Sequence, residues 1–170
     1  MGVNDVYTKL LKVKAQPIAE NHQEFSDYFN KVLDYVIPAS KHVVVVTPAI
    51  VGENIENSSN IELNRLSTIM ESISTKHPTV TFLNMHSVFE KYLSKVSSSE
   101  YIGTSVIRVM KDVLFYKNPS RIDRLSTKRG LYLTLDGIHL NSRGAKIVAE
   151  EYTSLIDQIL YSGNTENNSE

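Results

Sequence analysis

The chain reads as an α/β protein with a parallel sheet. Two observations predict this. Stretches with helical apolar spacing alternate with short β-branched runs, and the clearest run, HVVVVTP, holds four consecutive valines without polar alternation, as a strand buried on both faces does. The length of 170 residues allows one domain with a real core.

Each element has its own signal. From Glu20 to Val36, apolar residues fall at Phe25, Phe29, Val32, Leu33 and Val36, which is helical spacing, and Pro38 ends it. HVVVVTP follows as the first strand, closed by Pro48. Val51–Asn60 is polar, with Gly52 and several Asn and Ser, and predicts a loop. Leu63, Leu66, Met70 and Ile73 mark a second helix, and Thr79–Asn84 (TVTFLN) a second strand. Val88, Phe89, Tyr92 and Leu93 predict a third helix, and Val106, Val109, Met110, Val113 and Leu114 a fourth. Asn118–Gly130 is basic and polar and predicts a loop. Asn141 or Ser142 can cap a last helix carrying Ile147, Val148, Leu155, Ile156 and Ile159. The polar tail SGNTENNSE, residues 162–170, predicts disorder and leaves residues 1–161 as the domain.

Composition narrows the function. With 41% hydrophobic and 22% charged residues, the chain matches an ordinary globular protein. A net charge of −1 and the lack of any basic stripe argue against a nucleic-acid partner. Without cysteine there is no disulfide, thiolate metal site or cysteine nucleophile. The longest apolar run, around Val43–Val46, is far too short to span a bilayer. The N-terminus lacks the charged and apolar regions of a signal peptide, which leaves the cytoplasm as the default location.

Two stretches carry candidate chemistry. LTLDGIHLNSRGA, residues 133–145, contains the only D-x-x-H of the chain, Asp136 and His139. On a turn leading into a helix, that spacing can set the carboxylate beside one ring nitrogen, fix the tautomer and leave the other nitrogen as a general base. The plainer reading makes Asp136-Gly137 a turn and His139 a surface residue. The opening GVND holds Gly2 and Asn4. A backbone N–H near Gly2 and the Asn4 amide can point at an anion, or Asn4 can simply cap a short helix. Ser105, in GTSVI, lacks the second glycine of a nucleophile elbow and reads as a helix-start residue. His86 follows the second strand and reads as structural or exposed. His22, His42 and His77 have no partner at ligand spacing, so no metal is assigned.

GVND near the start and DGIHLNSRGA before the last helix resemble the SGNH (GDSL-type) esterase and lipase family. The resemblance runs from Gly2 to about Leu160. It implies a flavodoxin-like three-layer α/β/α fold with a short parallel sheet, in which HVVVVT and TVTFLN are the fourth and fifth strands. By the same resemblance His139 is the general base, Asp136 its orienting partner, and Asn4 and Gly2 belong to the oxyanion hole. It implies no cofactor, and a small acyl ester, lipid ester or acetylated sugar as substrate. The family's Gly-Asp-Ser block, which holds the nucleophile, is not in this sequence, so the nucleophile is unassigned. MGVND therefore reads as an interior segment, with further strands expected before it, and the chain as a fragment inactive alone. The alternative is a non-catalytic interaction module that keeps the fold remnant.

Overall fold

The computed structural model describes Val6, residues 19–103 and residues 118–166. Among these residues the elements in order are α1 (His22–Val36), β1 (Val43–Val46), α2 (Ser58–Ser74), β2 (Val80–Leu83), α3 (Met85–Leu93), α4 (Pro119–Lys128) and α5 (Ser142–Glu166). The expected fourth helix around Val106–Leu114 lies outside the described residues.

All five described helices start from the same device. Asn21, Asn57, Asn84, Asn118 and Asn141 each place a side-chain oxygen against backbone N–H groups of the first turn, which have no partner inside the helix. Asparagine is effective here because its short amide side chain folds back onto its own backbone.

β1 and β2 pair in parallel, with Val43 opposite Val80 and Val46 opposite Leu83, and α2 is the crossover between them. Side chains alternate across the sheet, and the core divides accordingly. Val43, Val45, Val80 and Phe82 face a cluster built on Phe25, Phe29 and Leu33 of α1 and Leu63, Leu66 and Met70 of α2. Val46 and Leu83 face a second cluster, in which Met85, Phe89 and Leu93 of α3 meet Leu133 and Ile147. The result is an α/β/α arrangement, with α1 and α2 on one face and α3 and α5 on the other. Full burial of a side chain such as Phe89 stabilises it by about 1.5–3 kcal/mol.

Two expectations need correction. Residues 118–130 are not all loop: α4 occupies Pro119–Lys128, started by the Asn118 cap and by Pro119, whose fixed φ suits the first helical position. Its apolar content, Ile122 and Leu125, is too thin to register as periodicity. The last helix runs from Ser142 through Glu166. Lastly, β1 is not covered on both faces. Val44 belongs to neither cluster and keeps 39% of its surface exposed. Among the described residues β1 pairs only with β2, and an open groove of about 620 Å³ runs along it, lined by Phe29, Val32, Leu33, Val36, Val44 and Met70.

A buried carboxylate and an open imidazole

The loop from Leu131 to Asn141 bridges α4 and α5, and its own hydrogen bonds fold it tightly. Leu135 N–H donates to the His139 carbonyl at 2.7 Å and Asn141 N–H to the Leu133 carbonyl at 3.0 Å, which closes the intervening residues into a turn. Gly137 sits at its tip with φ +88°, a left-handed conformation that costs glycine little. A Cβ there would stand 2.8 Å from the Tyr101 carbonyl oxygen.

The turn brings Asp136 and His139 together. His139 Nδ1 lies 2.9 Å from Asp136 Oδ2, and Asp136 Oδ1 accepts the backbone N–H groups of Ile138 at 3.0 Å and His139 at 2.8 Å. A carboxylate facing Nδ1 requires the proton on that nitrogen, so Nε2 carries the free lone pair. The two side chains differ sharply in exposure, 1% for Asp136 and 46% for His139. The charge is underneath and the ring is open.

Electrostatics follow from this. Burial pushes the Asp136 carboxyl up, but the hydrogen bonds from the His139 ring and backbone and from Ile138 N–H outweigh it, leaving the group below its usual range. For His139, the Asp136 hydrogen bond raises the imidazole above its ordinary value; partial burial opposes this, and the carboxylate charge adds to it.

The pair stands at the carboxyl end of β1. Gly52, in the loop after that strand, donates its N–H to the Gly137 carbonyl at 2.6 Å, and Gly103 N–H donates to the Asp136 carbonyl at 2.7 Å. In parallel sheets this end is where ligands gather. The loop after β1 is itself stitched by Asn60, fully buried, which accepts Val51 N–H at 2.8 Å and donates to the Gly52 and Asn54 carbonyls.

α4, read from the sequence as loop, braces the site. Ser126 Oγ donates to the Thr134 carbonyl and accepts from Asn141 Nδ2, and Arg129 donates to the Leu135 carbonyl at 2.9 Å. Glu53 is the other residue that sequence reasoning passed over. It lies 3% exposed within a stretch read only as a polar loop, yet its carboxylate accepts four hydrogen bonds from residues 132–134. No local sequence signal marks it, since its partners are about 80 residues away.

Gly2, Asn4 and Ser105 lie outside the described residues. His86 is buried rather than exposed, with Nδ1 at 2.6 Å from the Ala49 carbonyl oxygen. Among the described residues, no group of three or more His, Cys, Asp or Glu stands close enough to hold a metal. No helix among them is long and apolar enough to cross a membrane.

No family model and no curated protein matches the chain. Solved structures do. LAE5, an alpha/beta hydrolase enzyme from the metagenome of Lake Arreo, Spain, superposes with a TM-score of 0.59 at 16% identity, over 91% of this chain and 56% of that one. A mutant of Axe2, an acetyl-xylooligosaccharide esterase from Geobacillus stearmophilus, gives 0.57 at 16% identity, over 89% and 54%. The likeness is one of fold, and the chain spans about half the length of these structures.

Proposed function

We propose that this chain carries the acid–base half of an ester hydrolase of the SGNH type. The observation that carries the reading is the Asp136–His139 pair, hydrogen-bonded at 2.9 Å with Nε2 left free, at the carboxyl end of a parallel strand. The D-x-x-H and G-x-N-D stretches and the fold shared with two hydrolases support it.

In this reading a serine Oγ–H gives its proton to His139 Nε2 as Oγ attacks the ester carbonyl carbon. Asp136 holds the ring in place and stabilises the imidazolium. The carbonyl π pair moves onto oxygen, where Asn4 and the N–H near Gly2 donate hydrogen bonds. Collapse expels the alkoxide, which takes the proton back from Nε2, and water repeats the sequence on the acyl-enzyme. The Gly-Asp-Ser block is not in this sequence, so the chain by itself is expected to be inactive. The substrate is an acyl ester, and among the candidates an acetylated sugar has the support of one fold neighbour's activity.

The test is hydrolysis of p-nitrophenyl acetate by the chain alone and by the chain fused behind a segment bearing a strand and a Gly-Asp-Ser block. Turnover only in the fusion, abolished by His139→Ala, is the expected result. Turnover that survives His139→Ala overturns the base, and turnover of the chain alone abolished by Ser105→Ala moves the nucleophile into this chain.

A second reading, an interaction module without chemistry, has one observation in its favour: the apolar groove left open along β1. It requires no effect of His139→Ala in any fusion.

A further inference from the structure

We propose that Glu53 is the positioning residue of the Asp136–His139 pair: its buried carboxylate sets the backbone of the turn from which both side chains project. The proposal rests on reading His139 as the general base.

The geometry is specific. Glu53 Oε2 accepts Tyr132 N–H at 2.6 Å. Oε1 accepts Leu133 N–H at 2.7 Å, Thr134 N–H at 2.7 Å and the Thr134 hydroxyl at 2.8 Å. One carboxylate thus satisfies three consecutive backbone donors, those of Leu133 and Thr134 buried and that of Tyr132 partly so. An unmet buried N–H costs about 1–3 kcal/mol, and a buried carboxylate persists only when its lone pairs are filled. Each side of this contact therefore needs the other.

The contact extends to the pair itself. Having donated to Glu53, Thr134 Oγ1 accepts the Gly137 N–H at 3.1 Å. Gly137 lies between Asp136 and His139 in sequence. Its carbonyl is taken by Gly52 N–H, from the residue next to Glu53. Both polar groups of this glycine are therefore held by neighbouring residues of the loop after β1, one directly and one through a hydroxyl relay. Ile138 and His139 N–H point to Asp136 Oδ1, so a displaced Gly137 shifts the carboxylate relative to the ring.

Glutamine is the informative replacement. Its shape is the same, but one acceptor oxygen becomes an NH2 donor facing the backbone N–H groups of residues 132–134. A passive filler would tolerate that change at the distance of His139, and a positioning group would not.

The experiment is an NMR titration of the His139 ring in the full chain and in Glu53→Gln, Thr134→Val and Asp136→Asn. Thr134→Val removes the relay alone and decides the matter if Glu53→Gln does not fold. The expected result is a fall in the His139 midpoint of at least about half a pH unit, a threefold change in proton affinity, in Glu53→Gln and Thr134→Val, with α1 amide shifts unmoved. Asp136→Asn gives the full loss. If Asp136→Asn lowers the midpoint while folded Glu53→Gln and Thr134→Val leave it in place, the role of Glu53 is overturned and the pair stands. If Asp136→Asn has no effect, the acid–base reading fails and the inference fails with it.

Discussion

Gly52 donates its N–H to the Gly137 carbonyl at 2.6 Å, so the turn carrying the carboxylate and imidazole is fastened to the loop that ends β1. The two glycines approach closely enough that a Cβ on Gly137 would lie 3.3 Å from Gly52 Cα, and its φ of +88° disfavours any L side chain. Gly137→Ala should therefore destabilise the protein by roughly 1–3 kcal/mol and weaken the Asp136–His139 contact. Urea denaturation reads the first effect and the His139 ring resonances the second. A variant as stable as the parent would contradict the packing described.

Gly144, in the first turn of α5, leads to a less intuitive prediction. Alanine normally favours a helix over glycine by about 1 kcal/mol. Here a Cβ would come 2.3 Å from the Leu133 carbonyl oxygen, a backbone atom that cannot swing aside. The steric cost of about 1–3 kcal/mol should win, so Gly144→Ala lowers the melting temperature. An increase would mean that α5 and the 131–141 loop pack less closely.

The pair also predicts a pH dependence. Asp136 is held below its ordinary value of 3.8, so its contribution is present above that pH and is lost as pH falls through the folded value. His139 is held above its ordinary 6.5, so its contribution is present below that pH and is lost as pH rises through its folded value. Both operate together between those two ordinary values. The stability difference between wild type and Asp136→Asn should be larger at about pH 5 than at about pH 8. Denaturant titrations at the two pH values check this, and an equal or inverted difference would count against it.

β1 supplies a prediction about solution behaviour. Among the described residues β1 has an unpaired edge and a half-open valine, and a β-branched strand of that kind recruits other strands. The wild-type chain should self-associate with rising concentration, and Val44→Lys, which sets a charge on that exposed face, should suppress it. Sedimentation velocity over a concentration series measures the change. A wild type that stays monomeric throughout refutes the expectation.

The strong local signals in the sequence located α1, β1, α2, β2, α3 and α5, because each carries an apolar stripe or run that only burial explains. Asp136 and His139 were legible for a related reason: two residues three apart on a turn form a local geometry. Residues whose importance comes from distant partners were not legible. α4 buries only Ser126, and its value lies in the Ser126 hydroxyl and the Arg129 guanidinium reaching loop carbonyls. Glu53 looks like any loop carboxylate until the fold carries residues 132–134 to it. Val44 fails in the opposite direction. Its residue type fits a covered strand, but coverage depends on what lies alongside, which no local pattern records.

The difference in exposure between Asp136 and His139 has a consequence for how this protein can be used. The Asp136 hydrogen bond orients the ring within the fold, so on the reading proposed above the entropy of ordering the pair is already lost before any reactant arrives. What stays open is the imidazole itself, with 46% of its side-chain surface exposed. A hydroxyl brought to it, whether on the same polypeptide, a fused one or a small molecule, meets a preset proton acceptor and need supply only itself. On the reading of His139 as general base proposed above, the chain is a socket for a nucleophile, and engineering it calls for delivering a serine to Nε2 rather than building a base around one.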